Sequence, residues 1–65
     1  MEKYPVDERL LKAIEVAEIL NISRAMAYRL MQTRKISTVR IGKARRVRPV
    51  DLQNYIQTNL IQAGS

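Results

Sequence analysis

The sequence contains no cysteine and no histidine. Without these side chains the chain cannot form a disulfide, a thiolate zinc site or a histidine-ligated metal site. It also lacks the two side chains that most nucleophilic and acid–base catalysis uses. The absence of cysteine fits a reducing cytoplasm. We therefore expect a protein without cofactor or metal that is not an enzyme.

Long apolar runs are absent as well. The longest uncharged stretches fall far short of the about 20 residues that a membrane span needs, and the acidic start of the chain does not resemble a signal peptide. No basic amphipathic helix carries tryptophan or phenylalanine, which argues against a membrane-surface role. With 65 residues, 46% of them hydrophobic, the chain suffices for one small globular domain with a thin core.

Positive charge is concentrated in one part of the chain. The net charge is +6, yet residues 1–23 are net acidic, and residues 24–48 carry nine basic side chains and no acidic one. Charge runs are usually solvated surface, but a basic stretch without counter-charge indicates a polyanionic partner. Eight of the twelve basic residues are arginine, whose planar guanidinium suits phosphate and guanine. The distribution favours contact with nucleic acid.

A first helix is predicted over residues 13–20, where apolar residues recur at three- and four-residue spacing. Its start has two interpretations. Lys12 is a poor N-cap, whereas Asp7 is a good one and would begin the helix at Glu8. The small side chain of Ala17 leaves room on the inner face for a second helix to cross closely.

A tight turn and a second helix follow. Asn21 tolerates the left-handed conformation that ends a helix, and Ile22 is expected to point into the core. Ser23 is a favoured N-cap for a helix over residues 24–33. Ala27 gives this helix a small contact point of its own, as in a helix–turn–helix.

The second helix has two faces at 100° per residue. One side faces the core with Ala27, Leu30, Met31 and the stem of Arg34. The other side presents Arg24, Ala25, Tyr28, Arg29 and Gln32.

Beyond Lys35 the apolar period changes to two, which predicts a β-hairpin. A three-residue loop would pair Val39 with Val47, and a five-residue loop would pair Ile41 with Val47. Either register keeps the apolar residues on one buried face, whereas a two- or four-residue loop would put arginines there. The side chains facing outward are then Arg40 and one or both of Arg46 and Arg48.

A third helix is predicted to begin at Pro49, with Asp51 in its first turn where negative charge is favourable. It closes the core or, alternatively, offers an interaction surface. Its apolar stripe consists of Leu52, Tyr55, Ile56 and Leu60.

These elements predict a small, mainly α winged helix–turn–helix, with a two-helix core motif, a β-hairpin wing and a C-terminal helix. We expect a short N-terminal arm over residues 1–9, the DNA-binding domain over residues 10–62 and a flexible tail over residues 63–65. The second helix can enter the major groove of DNA, which is about 12 Å wide. The wing tip, Lys43 and Arg45, can reach the adjacent minor groove or backbone.

Individual contacts follow from side-chain chemistry. Arginine can bond guanine, glutamine can bond adenine, and alanine can meet a thymine methyl. Tyr28 either contacts phosphate or sugar, or props the helix as a half-buried residue. Ser23 acts chiefly as a cap, with phosphate contact as its lesser role. The predicted DNA-binding residues are Ser23, Arg24, Ala25, Tyr28, Arg29, Gln32, Arg40, Lys43, Arg45 and Arg46.

Several segments resemble the excisionase-type DNA-binding domain of phages, plasmids and integrative elements, which is related to the DNA-binding part of MerR-type regulators. The matching segments are Leu-Leu at 10–11, Glu-Val-Ala-Glu-Ile-Leu at 15–20, Ile-Ser-Arg at 22–24, Tyr-Arg-Leu at 28–30, Lys-Ile at 35–36, Val-Arg-Ile-Gly at 39–42 and Asp-Leu at 51–52, with Tyr55. The departures are Lys12 where the family prefers Ser or Thr, Arg34 in place of Gly and Ser37 in place of Pro. The resemblance implies that Arg24, Tyr28 and Arg29 enter the major groove and that the wing enters the minor groove.

The resemblance also implies a function. Excisionases bind and bend DNA beside an attachment site and direct an integrase toward excision. The implied partners are double-stranded DNA, an integrase and neighbouring copies of the chain on DNA, at the nucleoid in the cytoplasm. A small phage- or plasmid-type transcription regulator is the alternative, because it needs the same surface. A protein-interaction module would leave the basic stretch unexplained.

Overall fold

The computed structural model describes residues 9–64. Within this range the chain forms a winged helix–turn–helix, as predicted. The predicted arm lies outside the described residues except for Arg9, and so does Ser65 of the predicted tail. The elements are α1 (Ala13–Leu20), α2 (Arg24–Gln32), β1 (Val39–Ile41), β2 (Ala44–Arg46) and α3 (Pro49–Thr58).

The start of α1 follows the shorter of the two predictions, and residues 9–12 are not helical. Lys12 occupies the N-cap in an extended conformation and makes no side-chain cap. Instead, the Glu15 carboxylate accepts a 2.7 Å hydrogen bond from the backbone N–H of Lys12. Leu11 exchanges two backbone hydrogen bonds with Val47, 2.8 and 2.9 Å long. These bonds hold the chain extended before Lys12, so the longer helix is wrong.

Both helices of the motif are followed by a left-handed residue. Asn21 has φ 58°, as predicted for the end of α1, and Arg34 has φ 62° after α2. At α2 the N–H of Lys35 donates to the Leu30 carbonyl at 2.9 Å, and the N–H of Arg34 donates to the Met31 carbonyl at 3.3 Å. These paired bonds form a Schellman motif, in which glycine is the usual left-handed residue. Arg34 therefore adopts the conformation that the expected glycine would have had.

The turn of the motif is capped as predicted. The Ser23 hydroxyl accepts a 3.1 Å hydrogen bond from the Met26 backbone N–H, which satisfies one N-terminal donor of α2. Ile22 is partly buried and packs against the core. The helix ends at Gln32, one residue earlier than predicted, with Thr33 as its C-cap.

One small core joins the three helices with Ile36, which precedes the wing, and Val47, which follows it. Ala17 and Ala27 are both buried in it, as expected for closely crossing helices. Two predictions are wrong: Arg34 is exposed rather than packed along the core face, and Leu60 lies beyond the end of α3 and is 55% exposed. The buried residues are Ala13, Val16, Ala17, Ala27, Met31, Ile36, Val47 and Leu52.

The wing has neither of the predicted registers. Its loop has two residues, Gly42 and Lys43, and Gly42 has φ 61°, as the first loop residue of a type II′ turn requires. The prediction assumed that Val47 pairs within the wing, but Val47 pairs with Leu11 and is buried. Ile41 is 56% exposed, so burial of an apolar face does not determine the register. The two-residue turn determines it instead. The observed pairs are Val39 with Arg46, Arg40 with Arg45, and Ile41 with Ala44.

Candidate nucleic-acid interface

The basic residues of α2 and the wing lie on the surface. Of the nine in residues 24–48, seven are exposed, and Arg45 and Arg46 are partly buried. Positive charge is thus displayed along the second helix and the hairpin that follows it. Such a surface attracts polyanions and raises the rate at which they associate.

Among residues 9–64, an ion pair compensates one of these nine charges. The Arg48 guanidinium binds the Asp51 carboxylate in a bidentate pair, with Nε to Oδ2 at 2.6 Å and Nη2 to Oδ1 at 2.9 Å. Hydrogen bonding from Arg48 lowers the pKa of Asp51 below its usual 3.8; desolvation opposes this shift, and the charge of Arg48 adds to it. The pair stabilises the start of α3, so Arg48 serves the fold.

The face of α2 that is predicted to contact DNA bases points away from the core. Ala27 and Met31 are buried on the inner side. Tyr28 is 53% exposed, so its ring is available at the surface. The hydroxyl of Ser23 is engaged by the Met26 N–H as the helix cap. The exposed residues of this face are Arg24, Ala25, Tyr28, Arg29 and Gln32.

The arginines of the wing are divided between its two faces. Arg40 and Arg45 are paired directly across the strands and therefore share one face. Arg46 lies on the other face, opposite Val39. Of the two arginines offered as outward partners of Arg40, Arg48 is exposed and Arg46 is partly buried. The Arg46 guanidinium Nη1 donates to the Arg45 carbonyl at 2.9 Å. The observed register differs by one residue from that of a three-residue loop, and this difference places Arg46 on the face opposite to Arg40.

A groove of about 450 Å³ separates α2 from the wing and the start of α1. It brings together Tyr28 and Gln32 of α2 with the wing residues Lys43, Arg45 and Arg46. The other predicted contacts, in the first turn and outer face of α2 and at Arg40, do not line it. The described residues that line it are Lys12, Ala13, Ile14, Tyr28, Met31, Gln32, Lys43, Ala44, Arg45 and Arg46.

Lys12 is the basic residue of this lining that the sequence did not predict. It belongs to the net-acidic first part of the chain, which gave no reason to include it. The hydrogen bonds between Leu11 and Val47 bring it beside the wing. The sequence held one sign of its importance: Lys12 stands where the excisionase-type domain prefers Ser or Thr.

The described residues hold no cluster of three or more acidic side chains that could bind a metal ion. Over residues 9–64, no helix combines the length and apolar character that crossing a bilayer requires.

The chain is similar to known proteins along most of its length. A family model described as a helix-turn-helix domain matches residues 10–60. Two relatives from two strains of Mycobacterium tuberculosis, named as candidate DNA-binding proteins, are each 30% identical over 64 residues, which span 98% of this chain and 82% of the relative. No solved structure matches the chain significantly. Because the family model spans α1, α2, the wing and α3, the chain belongs to the helix-turn-helix domain family.

Proposed function

We propose that the chain binds double-stranded DNA, with α2 in the major groove and the wing against the flanking backbone or minor groove. The observation that carries this proposal is the concentration of exposed and partly exposed basic residues on α2 and the wing. α2 and the wing supply six basic side chains and no acidic one: Arg24, Arg29, Arg40, Lys43, Arg45 and Arg46. The names of the two mycobacterial relatives support the same function.

Within this proposal, the exposed face of α2 reads bases. Arg24 and Arg29 would bond guanine, Gln32 would bond adenine, and Ala25 would meet a thymine methyl. Tyr28 contacts phosphate or sugar, and Ser23 holds the start of the helix at the DNA surface. The wing residues that would contact the backbone or minor groove are Arg40, Lys43, Arg45 and Arg46.

We further propose that this DNA binding serves site-specific recombination, as in excisionases, or transcription regulation. The segments resembling the excisionase-type domain, related to MerR-type DNA-binding domains, support the first role. An integrase and neighbouring copies of the chain on DNA would then be partners, and the chain would act at the nucleoid. Footprinting of the chain on the DNA of the genetic element that encodes it decides between the two roles. Protection at its attachment site supports excision, and protection at an operator alone supports regulation.

Substitutions on α2 and the wing test the assignment of contacts. With a target selected from random duplexes, Arg29→Ala should cost roughly 1–3 kcal/mol and relax base discrimination, as loss of a bidentate base contact does. The matched change Lys43→Ala should weaken target and random DNA by about the same factor. If Arg29→Ala also lowers both affinities equally, Arg29 contacts phosphate and the base-reading assignment is wrong.

A further inference from the structure

We propose that the groove between α2, the wing and the start of α1 holds one strand of the DNA backbone, and that Lys12 binds a phosphate in it. This inference rests on the proposed DNA binding and extends it to a residue outside the basic stretch.

The lining of the groove has the chemistry of a phosphate site. Four of the residues that line it are basic and come from two separate parts of the chain: Lys12 at the start of α1, and Lys43, Arg45 and Arg46 in the wing. Within residues 9–64, none of the lining residues is acidic. The Tyr28 hydroxyl can donate one further hydrogen bond to a phosphate oxygen.

The position of the groove matches the path of a DNA strand. An α-helix with its side chains is about 10–12 Å across and fills a major groove about 12 Å wide, so the strand bounding that groove runs along the side of the helix. Tyr28 and Gln32, four residues apart, lie on the side of α2 that meets the wing. Arg29 does not line the groove and is left to face the bases.

The backbone holds Lys12 in place at this groove. The two hydrogen bonds between Leu11 and Val47 fix the preceding residue to the end of the wing. The Glu15 carboxylate accepts from the backbone N–H of Lys12. The side chain of Lys12 is exposed, so its ammonium can reach a bound phosphate.

Lys12→Ser removes the positive charge without weakening the start of α1, because serine is a better N-cap than lysine. We expect the variant to melt no lower than wild type. Its affinity for a duplex should fall roughly three- to ten-fold near 0.1 M salt, and the slope of log affinity against log salt should shrink by about 0.9, the value of one phosphate contact. Target and random DNA should lose the same factor.

Lys35→Ser is the matched control. Lys35 is also an exposed lysine, but it lines a different groove beside Asp51 and Tyr55, and we expect its loss to leave the slope unchanged. An unchanged slope for Lys12→Ser, or an equal decrease for both variants, would overturn the groove proposal alone. Absence of duplex binding by the wild type would instead overturn the proposed function.

Discussion

Arg40 and Arg45 lie directly opposite each other across the two strands of the wing. Directly opposed residues have β-carbons about 4.5–5.5 Å apart, and like charges at such a pair are destabilising. The wing therefore carries a repulsion that an anion between the two guanidinium groups would relieve. We expect such a loss of stability in the free protein where a surface binds a polyanion.

Arg40→Thr tests this repulsion. At low salt the variant should be more stable than wild type by about 0.2–1 kcal/mol, and the gain should disappear at 1 M salt, where charges are screened within about 3 Å. Its affinity for duplex DNA should fall. Thermal unfolding at both salt concentrations measures the first effect. Arg46→Thr, on the other face of the same hairpin, should give no such gain; a gain that persists at high salt would point to strand propensity instead of charge.

The left-handed conformation of Arg34 predicts a stabilising substitution. A β-carbon in this conformation costs about 1–2 kcal/mol, which the larger unfolded-state entropy of glycine offsets in part. We expect Arg34→Gly to stabilise the protein by about 0.5–1 kcal/mol and to raise the melting temperature by a few degrees. Arg34→Ala removes the same charge but keeps a β-carbon. Equal melting temperatures for the two variants would show that charge, and not backbone conformation, is responsible.

The pair between Arg48 and Asp51 predicts a dependence of stability on pH. Because the folded pKa of Asp51 is lowered below 3.8, the pair contributes stability above that pH, and the contribution is lost as the pH falls through the lower folded value. Urea unfolding of wild type and Asp51→Asn from pH 7 to pH 2 isolates this group from the other carboxylates. The difference in unfolding free energy should be constant near neutral pH and shrink below about pH 4. A difference that does not change across this range would contradict the assignment.

The predictions that the structure confirms rest on sequence patterns that span only a few neighbouring residues. The left-handed Asn21, the Ser23 cap and the exposed face of α2 follow from local sequence and helical periodicity. The register of the wing did not, because Val47 pairs with Leu11 from the other end of the domain, and no local pattern records such a contact. The same long-range pair brings Lys12 to the groove. The exposed face of α2 could therefore be predicted from local sequence, whereas the groove beside it could be recognised only from the tertiary structure.

The most direct test is the affinity of the wild-type chain for a short labelled duplex, measured by fluorescence anisotropy at several salt concentrations. If about five of the basic side chains contact phosphates, log affinity should fall with log salt with a slope near −4 to −5. Such a slope would support DNA binding through the basic surface of α2 and the wing. A flat response, or no binding even at low salt, would contradict it.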